Sequence, residues 1–289
     1  MENDARVIAE FLRTVYRGQE DGYVSLFEKE THRSTFVPLN RARWYNEAAE
    51  HAMRVRDEQD VYFGIGVQGE EPCKGRGTQA GVIALPGLWG DIDVFGPNHA
   101  ATNLPPTLED AWSITRVIPF KPTLVVYSGG GLQPHWLLRE PMEIQTDRDR
   151  RAAILLSKSF QSVLARSASA NGWTVDNTAD LCRLLRVPGT YNRKQNEPIL
   201  VQYEVIDGGQ RTTCQSSRNS WSWRGTHTSR LTFRVPRGRL RALYFCAFWR
   251  DAHGCTIAKT TPPDCLSQSG IACCRSWDGA LTATRSPTS

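Results

Sequence analysis

Two aspartates stand one residue apart in the otherwise apolar run GLWGDIDVFG, residues 87–96. In a β-strand, residues i and i+2 point to the same side of the sheet, so Asp91 and Asp93 would place two like charges side by side. The run contains no Lys or Arg that could neutralise them. The pair therefore indicates either a bound cation or a solvent-exposed turn, where Asp is common.

A second polar cluster lies in VVYSGGGLQPHWLL, residues 125–138. A predicted strand ends at Ser128, and the three glycines that follow let the backbone approach a ligand without an intervening Cβ. The next predicted strand carries Gln133 and His135, which share a face because they are two residues apart. The alternative is an ordinary Gly-rich hairpin with a partly buried, hydrogen-bonded histidine.

A third polar cluster lies in TADLCRLLRVPGTYNRK, residues 178–194. We predict a short helical segment with Asp180 in its first turn and Arg183 one turn later. Pro188 and Gly189 end that segment, and a polar loop with Lys194 follows. The alternative is an Asp favoured by the helix dipole and followed by an ordinary turn.

Taken together and in this order, the three stretches resemble the catalytic motifs of the archaeo-eukaryotic primase superfamily. They are most similar to the primase-polymerase domains of phages, plasmids and other mobile elements. The resemblance covers roughly residues 60–205, with VYFGIGV as a supporting strand. Its most specific part is the pattern R-x-P-G-T-x-N-x-K preceded by D-x-x-R.

The resemblance implies a DNA primase and DNA polymerase, which is a nucleotidyltransferase active in replication. Asp91, Asp93 and Asp180 would be the catalytic carboxylates and would hold two divalent metal ions. Oxygen ligands suit Mg²⁺ or Mn²⁺ better than Zn²⁺. The implied partners are a single-stranded DNA template and nucleoside triphosphates.

The middle motif departs from the family pattern S-G-x-G-x-H, in which the histidine contacts the phosphates of the incoming nucleotide. Here Gln133 is the fifth residue after Ser128, and the histidine comes two residues later, at His135. Either side chain could make the phosphate contact. The predicted nucleotide-binding set is therefore Ser128, Gly130, Gln133, His135, Arg183 and Lys194, with Arg186 and Arg193 as further triphosphate or template contacts.

The elements around these motifs alternate between helices and strands, which predicts an α/β or α+β domain of about 200 residues. The resemblance implies a two-layer catalytic unit with an RRM-like sheet and an N-terminal α/β part. We divide this region into an N-terminal lead-in, residues 1–60, and a catalytic core, residues 61–207. Asn40 is the predicted N-cap of a helix, and Thr107 with Asp110 predicts a capping box at another.

Residues 208–289 form an atypical tail. Residues 207–289 hold 12 of the 35 Lys and Arg residues but only 4 of the 30 Asp and Glu residues, and 11 of those 12 cations are Arg. The tail is rich in Ser, Cys and Trp, has no sustained hydrophobic period and contains no C-x-x-C pair. An out-of-frame reading of a GC-rich gene, or a disordered extension, would have this composition; a genuine basic arm is the alternative.

The composition as a whole, 40% apolar and 22% charged, is typical of a globular protein. No apolar run approaches the roughly 20 residues of a membrane span, and acidic residues stand where a signal peptide would be basic. We expect a cytoplasmic location in a bacterial, archaeal or phage-infected cell. Without a G-x-x-x-x-G-K-[ST] loop, any partner helicase is expected to be encoded separately or lost beyond residue 208.

Two other functions compete with an active primase-polymerase. One is a catalytically decayed primase that only binds single-stranded nucleic acid, which the unusual tail and Gln133 favour. The other is a metal-dependent phosphoesterase or relaxase that uses Asp91 and Asp93. A relaxase requires an H-x-H pair, and the sequence contains none.

Overall fold

The computed structural model describes residues 2–72, 75–96, 103–194 and 197–217, and four short segments beyond them (220–224, 230–234, 247–250 and 256–259). The contacts divide the chain into two units, Met1–Cys214 and Gln215–Ser289. Much of the predicted tail, including five of its six cysteines, lies outside the described residues. Among the described residues, no helix is both long and apolar enough to cross a membrane.

The first unit contains four helices and twelve strands among its described residues. In chain order these are α1 (Glu2–Val15), β1 (Tyr23–Glu28), β2 (Arg33–Pro38), α2 (Trp44–Val55), β3 (Val61–Gly64), β4 (Val67–Gln68), β5 (Val82–Trp89), β6 (Ile92–Asp93), α3 (Leu108–Thr115), β7 (Leu124–Tyr127), β8 (Gly131–Glu143), α4 (Asp147–Ser169), β9 (Leu184–Arg186), β10 (Tyr191–Asn192), β11 (Ile199–Leu200) and β12 (Gln202–Val205).

Ten of these strands form one sheet, in the order β12-β7-β8-β5-β4-β1-β3-β9, with β2 beside β1 and β6 beside β8. Neighbouring strands in this sheet pair in the antiparallel direction. Helices and an antiparallel sheet in one unit confirm the predicted α+β class. The strands before residue 60 belong to the same sheet as the strands after it.

Helices cover both faces of the sheet at β8. His135 lies against Phe11 of α1, with ring centroids 6.2 Å apart, and the next residue, Trp136, lies against Phe160 of α4, at 4.9 Å. Because successive residues of a strand point to opposite faces, α1 and α4 lie on opposite sides of β8. All four side chains are fully buried, so the apolar core continues on both faces of this strand.

Three local sequence predictions were wrong. Helix α2 begins at Trp44, and Arg43 before it has φ 58°, so Asn40 is not its N-cap. The predicted short helix after Asp180 is a turn followed by strand β9, whose residues pair with β3. The sequence pattern of residues 80–94 also predicts one strand through the two aspartates, but it is interrupted, since β5 ends at Trp89 and β6 starts at Ile92. The predicted capping box at Thr107 and Asp110 is confirmed.

The main chain of β8 approaches its neighbours very closely at two glycines. A Cβ on Gly131 would meet the Ile92 carbonyl oxygen and would lie 2.8 Å from the Asp93 Cα atom. A Cβ on Gly87 would lie 2.5 Å from the carbonyl oxygen of Trp136. Both positions therefore need a residue without a side chain, because real Cβ atoms do not come this close to backbone atoms.

Five further strands are described after the ten-stranded sheet. They are β13 (Thr213–Ser217), β14 (Ser220–Arg224), β15 (Arg230–Arg234), β16 (Ala247–Arg250) and β17 (Thr256–Lys259). Strands β13, β14 and β15 form one sheet, and β16 pairs with β17 in another.

Candidate active site

A cavity of about 310 Å³ lies where the segment containing β9 and β10 meets the segment containing β6 and β8. Polar and charged side chains contribute most of its wall. The lining residues are Phe27, Lys29, Tyr62, Arg76, Asp91, Asp93, Ser128, Gly130, Gln133, Asp176, Arg183, Leu184, Arg186, Asn192 and Lys194. We call the line along which the two segments meet the β8–β9 seam.

Three hydrogen-bonded contacts cross the β8–β9 seam. Arg183 donates to Asp91, Asn192 donates to the Ser128 carbonyl oxygen at 2.7 Å, and Gln133 accepts from the main-chain N–H of Arg186 at 3.1 Å. In the sheet, four strands lie between β8 and β9. The sheet must therefore curl to bring these two strands together, and the cavity forms at the junction.

The aspartate pair is held at the seam by strand pairing. In the β6–β8 pair, Asp93 lies opposite Gly131 and Ile92 lies opposite Leu132. On either side of this short ladder, Gly90 N–H donates to the Pro134 carbonyl at 2.9 Å and Val94 N–H donates to the Gly130 carbonyl at 2.9 Å. The stretch around the two aspartates thus follows β8 residue by residue, although β5 ended before it.

Both carboxylate oxygens of Asp91 have protein partners. Gln133 Nε2 donates to Oδ1 at 3.0 Å, and Arg183 Nη2 forms an ion pair with Oδ2 at 2.9 Å. Of the two alternatives that the sequence leaves open, Asp91 does have a neighbouring cation, and in this structure it is the side chain of an arginine 92 residues further along the chain. No local sequence pattern identifies a partner at that separation.

Positive charge outweighs negative charge on the cavity wall. Five cationic side chains line it (Lys29, Arg76, Arg183, Arg186 and Lys194), against the three carboxylates of Asp91, Asp93 and Asp176. Two guanidinium nitrogens, Nε of Arg183 and Nη1 of Arg186, are buried and have no hydrogen-bond partner among the described residues. The excess of cationic side chains over carboxylates makes the wall suited to an anion.

A second Asp–Arg pair lies behind the cavity wall. Arg186 Nη2 contacts Asp60 Oδ2 at 3.0 Å, and Asp60 Oδ1 accepts from the main-chain N–H of Arg193 at 2.8 Å. The Arg186 guanidinium also lies over the Tyr62 ring, 4.8 Å from its centroid. Burial raises the pKa of Tyr62 to about 12, although Arg186 acts in the opposite direction, so its hydroxyl stays neutral. Asp60 thus anchors both Arg186 and the start of the loop that carries Lys194.

Seven of the nine predicted site residues line the cavity: Asp91, Asp93, Ser128, Gly130, Gln133, Arg183 and Lys194. The structure does not bring the other two, Asp180 and His135, to it. Asp180 lies in the turn before β9, where its Oδ1 atom accepts from the Cys182 thiol at 3.5 Å. The lining carboxylate of that segment is Asp176, four residues earlier.

His135 lies in the apolar core behind the cavity. Its ring is fully buried and stacks on Phe63, with centroids 6.1 Å apart and planes at 22°. Nδ1 contacts the Gln133 carbonyl oxygen at 2.8 Å, whereas Nε2 has no hydrogen-bond partner among the described residues. Burial lowers the pKa of His135 to about 4, and the contact with Gln133 and the charge of Asp91 oppose this shift only partly. The imidazole is therefore neutral at pH 7.

Several lining residues were missed in the sequence. Arg76 lies in a glycine-rich loop, and Lys29 and Tyr62 lie in or next to strands that carry none of the three motifs. The proximity of these three to the aspartates depends on the sheet order, which the local pattern does not contain. Asp176 had a usable signal, because the stretch VDNTAD offers two aspartates four residues apart.

Whether this wall fits the divalent metals that the resemblance implies depends on its carboxylates. Asp91 and Asp93 supply hard oxygen donors at a polar cavity, which is the donor type that Mg²⁺ and Mn²⁺ prefer. Within the described ranges, no group of three or more His, Cys, Asp or Glu side chains is arranged to hold a metal ion. The two aspartates thus fit such an ion as part of its ligand set, and the predicted three-carboxylate site stays a prediction.

Comparisons of this sequence with protein-family models and with curated proteins found no match. Two solved structures are similar to the fold. One is the crystal structure of primase RepB', with 15% identity and a TM-score of 0.42, covering 72% of this chain and 58% of that one. The other is the crystal structure of the catalytic domain of primase RepB' in complex with initiator DNA, with 15% identity and a TM-score of 0.40, covering 72% and 87% of the two chains. This chain thus spans less than two thirds of the first structure.

Proposed function

We propose that this protein is a primase-polymerase, which joins nucleotides on a single-stranded DNA template in the replication of a phage, plasmid or other mobile element. The observation that carries the proposal is the combination on one cavity wall of the paired aspartates with five cationic side chains. A nucleoside triphosphate with its divalent ions has the complementary pattern of charges, because it presents phosphate oxygens to the cations and metal ions to the carboxylates.

The aspartates would be the ligands of the metal ions. Asp91 and Asp93 would hold Mg²⁺ or Mn²⁺, with a third carboxylate from Asp176, which lines the cavity, or from Asp180, which the motif pattern favours. When bound, the ions lower the pKa of the primer 3′-hydroxyl and neutralise charge on the triphosphate. The reaction forms a bond from the 3′-oxygen to the α-phosphorus and breaks the bond to pyrophosphate, and the hydroxyl proton passes to solvent.

The cations would bind and orient the triphosphate. Arg183 and Arg186 both line the cavity, and their guanidinium groups would donate charge-assisted hydrogen bonds to phosphate oxygens. Lys194 is exposed directly after Arg193, whose main-chain N–H Asp60 holds, and its long side chain can reach a phosphate group in the cavity. Ser128 and Gly130 would provide a close, nearly side-chain-free approach for the nucleotide.

Arg183 has to change partner in this scheme. Its charge lies 2.9 Å from Asp91 Oδ2, a position that disfavours a second cation on the same oxygen. An arriving triphosphate offers the guanidinium a more highly charged partner and leaves that oxygen of Asp91 for the metal. Nucleotide and metal should therefore bind cooperatively.

Primer synthesis on single-stranded DNA tests the proposal. The full chain is incubated with a template, labelled ribo- or deoxynucleoside triphosphates and Mg²⁺ or Mn²⁺ in turn, with EDTA as the control. We expect products longer than a dinucleotide in the presence of one or both metals and none in EDTA. Binding of the template without synthesis under every condition would contradict the proposal.

That outcome would favour the second candidate, a catalytically decayed primase that only binds single-stranded nucleic acid. One observation supports this candidate specifically: Asp91 is already neutralised by Arg183 and hydrogen-bonded by Gln133. An Asp91→Ala variant separates the two functions. In a binding protein this change would leave affinity for single-stranded DNA unchanged or higher, and no synthesis would exist to be lost.

A further inference from the structure

We propose that Gln133 is a positioning residue for Asp91, and that it joins the aspartate to strand β9 across the β8–β9 seam without contacting the triphosphate. The inference rests on the proposed function only for the role of the positioned Asp91 as a metal ligand. The two hydrogen bonds by which Gln133 links Asp91 to β9, which we call the joint, do not depend on that function. It differs from the phosphate contact that the sequence leaves open between Gln133 and His135.

The amide of Gln133 is already engaged at both ends. Its Oε1 atom accepts from the main-chain N–H of Arg186 at 3.1 Å, and its Nε2 atom donates to Asp91 Oδ1 at 3.0 Å. The second hydrogen on Nε2 and the second lone pair of Oε1 are left, and of these only the hydrogen could meet a phosphate oxygen. The residue is 4% exposed, so its amide faces mainly protein atoms.

The two partners determine which way the amide is turned. A flipped amide would place Oε1 against the Asp91 carboxylate and Nε2 against the Arg186 N–H, which gives one acceptor–acceptor and one donor–donor contact. Only the orientation with Nε2 toward Asp91 satisfies both partners. Gln133 is therefore fixed by the seam and holds Oδ1 of Asp91 in one direction.

The main chain of Gln133 is supported from behind by His135. Because the imidazole is neutral, it has one ring N–H, and the 2.8 Å contact with the Gln133 carbonyl oxygen places that N–H on Nδ1. The Nε2 lone pair then points into the core without a partner among the described residues. The two polar residues of this strand face thus have different tasks, with Gln133 at the cavity wall and His135 behind it.

Among the three seam contacts, the one made by Gln133 connects the backbone of one strand to a carboxylate of the site. It links the backbone of β9, next to the buried Asp60–Arg186 pair, to the carboxylate that we propose as a metal ligand. The Arg183–Asp91 contact is an ion pair that a triphosphate can replace, whereas a neutral amide can remain in place when a cation binds. The distance between the carboxylates and the cationic wall is therefore set by Gln133.

The test compares Gln133→Met with Gln161→Met in the full chain. Methionine keeps the approximate length and volume of glutamine but removes both hydrogen bonds. Gln161 is the control because it is buried to the same degree and its Nε2 atom donates one hydrogen bond, to the backbone carbonyl of Trp89 at 2.7 Å, that methionine would also remove. It does not line the cavity.

Three quantities are measured: Mn²⁺ affinity by calorimetry, affinity for a fluorescent nucleoside triphosphate in EDTA, and deuterium exchange of the Arg186 amide. In Gln133→Met we expect Mn²⁺ affinity to fall about tenfold, as is typical when a partner of a metal ligand is lost. We expect nucleotide affinity in EDTA to change less than about twofold, and the Arg186 amide to exchange roughly five- to tenfold faster. Gln161→Met should lower only the thermal midpoint.

Two outcomes overturn the proposal. If Gln133→Met weakens nucleotide binding in EDTA and leaves Mn²⁺ binding unchanged, Gln133 is a phosphate contact, which is one of the two alternatives that the sequence leaves open. If Arg186 amide exchange is unchanged, the joint does not exist. Failure of the proposed function has a separate signature, since the wild-type protein would then bind no Mn²⁺, and faster Arg186 exchange in Gln133→Met would still support the joint.

Discussion

Two Asp–Arg pairs have their arginines three residues apart, with Arg183 just before β9 and Arg186 at its end, and the pairs differ mainly in their exposure. Asp91 pairs with Arg183 at 2.9 Å, and these side chains are 18% and 27% exposed. Asp60 pairs with Arg186 at 3.0 Å, and these are 1% and 4% exposed. The residue types and distances are nearly the same, so geometry alone does not assign a role to either pair.

Burial does distinguish them. Asp60 also accepts a main-chain hydrogen bond from Arg193, and removing its charge would leave the buried Arg186 guanidinium without its carboxylate. The Asp91–Arg183 pair faces a cavity, where water, a metal ion or a phosphate can take the place of either partner. We infer that the Asp60–Arg186 pair is structural and that the Asp91–Arg183 pair is exchangeable.

The largest effect is expected at the exchangeable pair and should appear in activity. Asp91→Ala or Asp93→Ala should lower nucleotide incorporation on the order of 10³-fold or more, because the charge that develops on the triphosphate would lose its compensation. The thermal midpoint should change little. Primer-extension rates and melting curves measure the two quantities, with Asp57→Ala, on the exposed surface, as the control. Incorporation near the wild-type rate would remove both aspartates from the site.

The structural pair should show the opposite behaviour. Asp60→Asn leaves the Arg186 charge buried without a counter-ion, which should lower the free energy of unfolding by about 3 kcal/mol. Urea denaturation measures this loss, and Asp91→Ala is the comparison, with an expected loss below about 1 kcal/mol because that pair is partly exposed. Equal losses in the two variants would show that the distinction by burial is wrong.

The pH dependence of stability tests whether water is excluded from His135, which lies behind the cavity wall. The pKa of His135 is about 4 in the folded chain, against about 6.5 when unfolded, so protons bind the unfolded chain first. This contribution to stability is complete above pH 6.5 and is lost as the pH falls toward 4.

Relative to His135→Phe, the wild-type protein should therefore lose about 2 kcal/mol between pH 7 and pH 5. Denaturant titrations of both proteins at several pH values measure the difference. A difference that does not vary with pH would mean that water reaches the imidazole, and the wall would then be more open than its burial indicates.

The smallest effect is expected at Arg183, the cation of the exchangeable pair. Arg183→Gln should weaken binding of a nucleoside triphosphate about tenfold, the cost of one charge-assisted contact, and change the free energy of unfolding by less than about 0.5 kcal/mol. Equilibrium binding with a fluorescent nucleotide measures the first quantity. Arg41→Gln is the matched control, because Arg41 forms an exposed ion pair with Glu47 at 2.8 Å, away from the cavity. A loss of stability without a loss of affinity would make Arg183 structural as well.

The sequence predicted the site better than it predicted the partners within it. The motif pattern identified Asp91, Gln133 and Arg183 as members of one site, and all three line the cavity. That prediction was possible because each motif is local and contains its polar residues within a few positions. The α+β class followed in the same way from the alternation of strand and helix patterns.

The remainder required knowledge of the curled sheet. Arg183 meets Asp91 across 92 residues and Gln133 meets Arg186 across 53, and no local period encodes either contact. The i, i+2 rule correctly placed Gln133 and His135 on one strand face, but it could not show that α1 covers the second of them with Phe11. Asp180 was predicted in the first turn of a helix, whereas it precedes a turn that leads into β9, and the carboxylate of this segment that lines the cavity is Asp176.

The close approach at Gly131 has a consequence for how this site can vary over time. Since a Cβ there would lie 2.8 Å from the Asp93 Cα atom, any other residue must push β6 away from β8 and carry Asp93 with it. The aspartate could then return to its place only through a compensating change elsewhere in the strand pair. As long as the function is under selection, single substitutions of Gly131 should therefore not persist. A homologue with a side chain at this position would be expected to have lost the function.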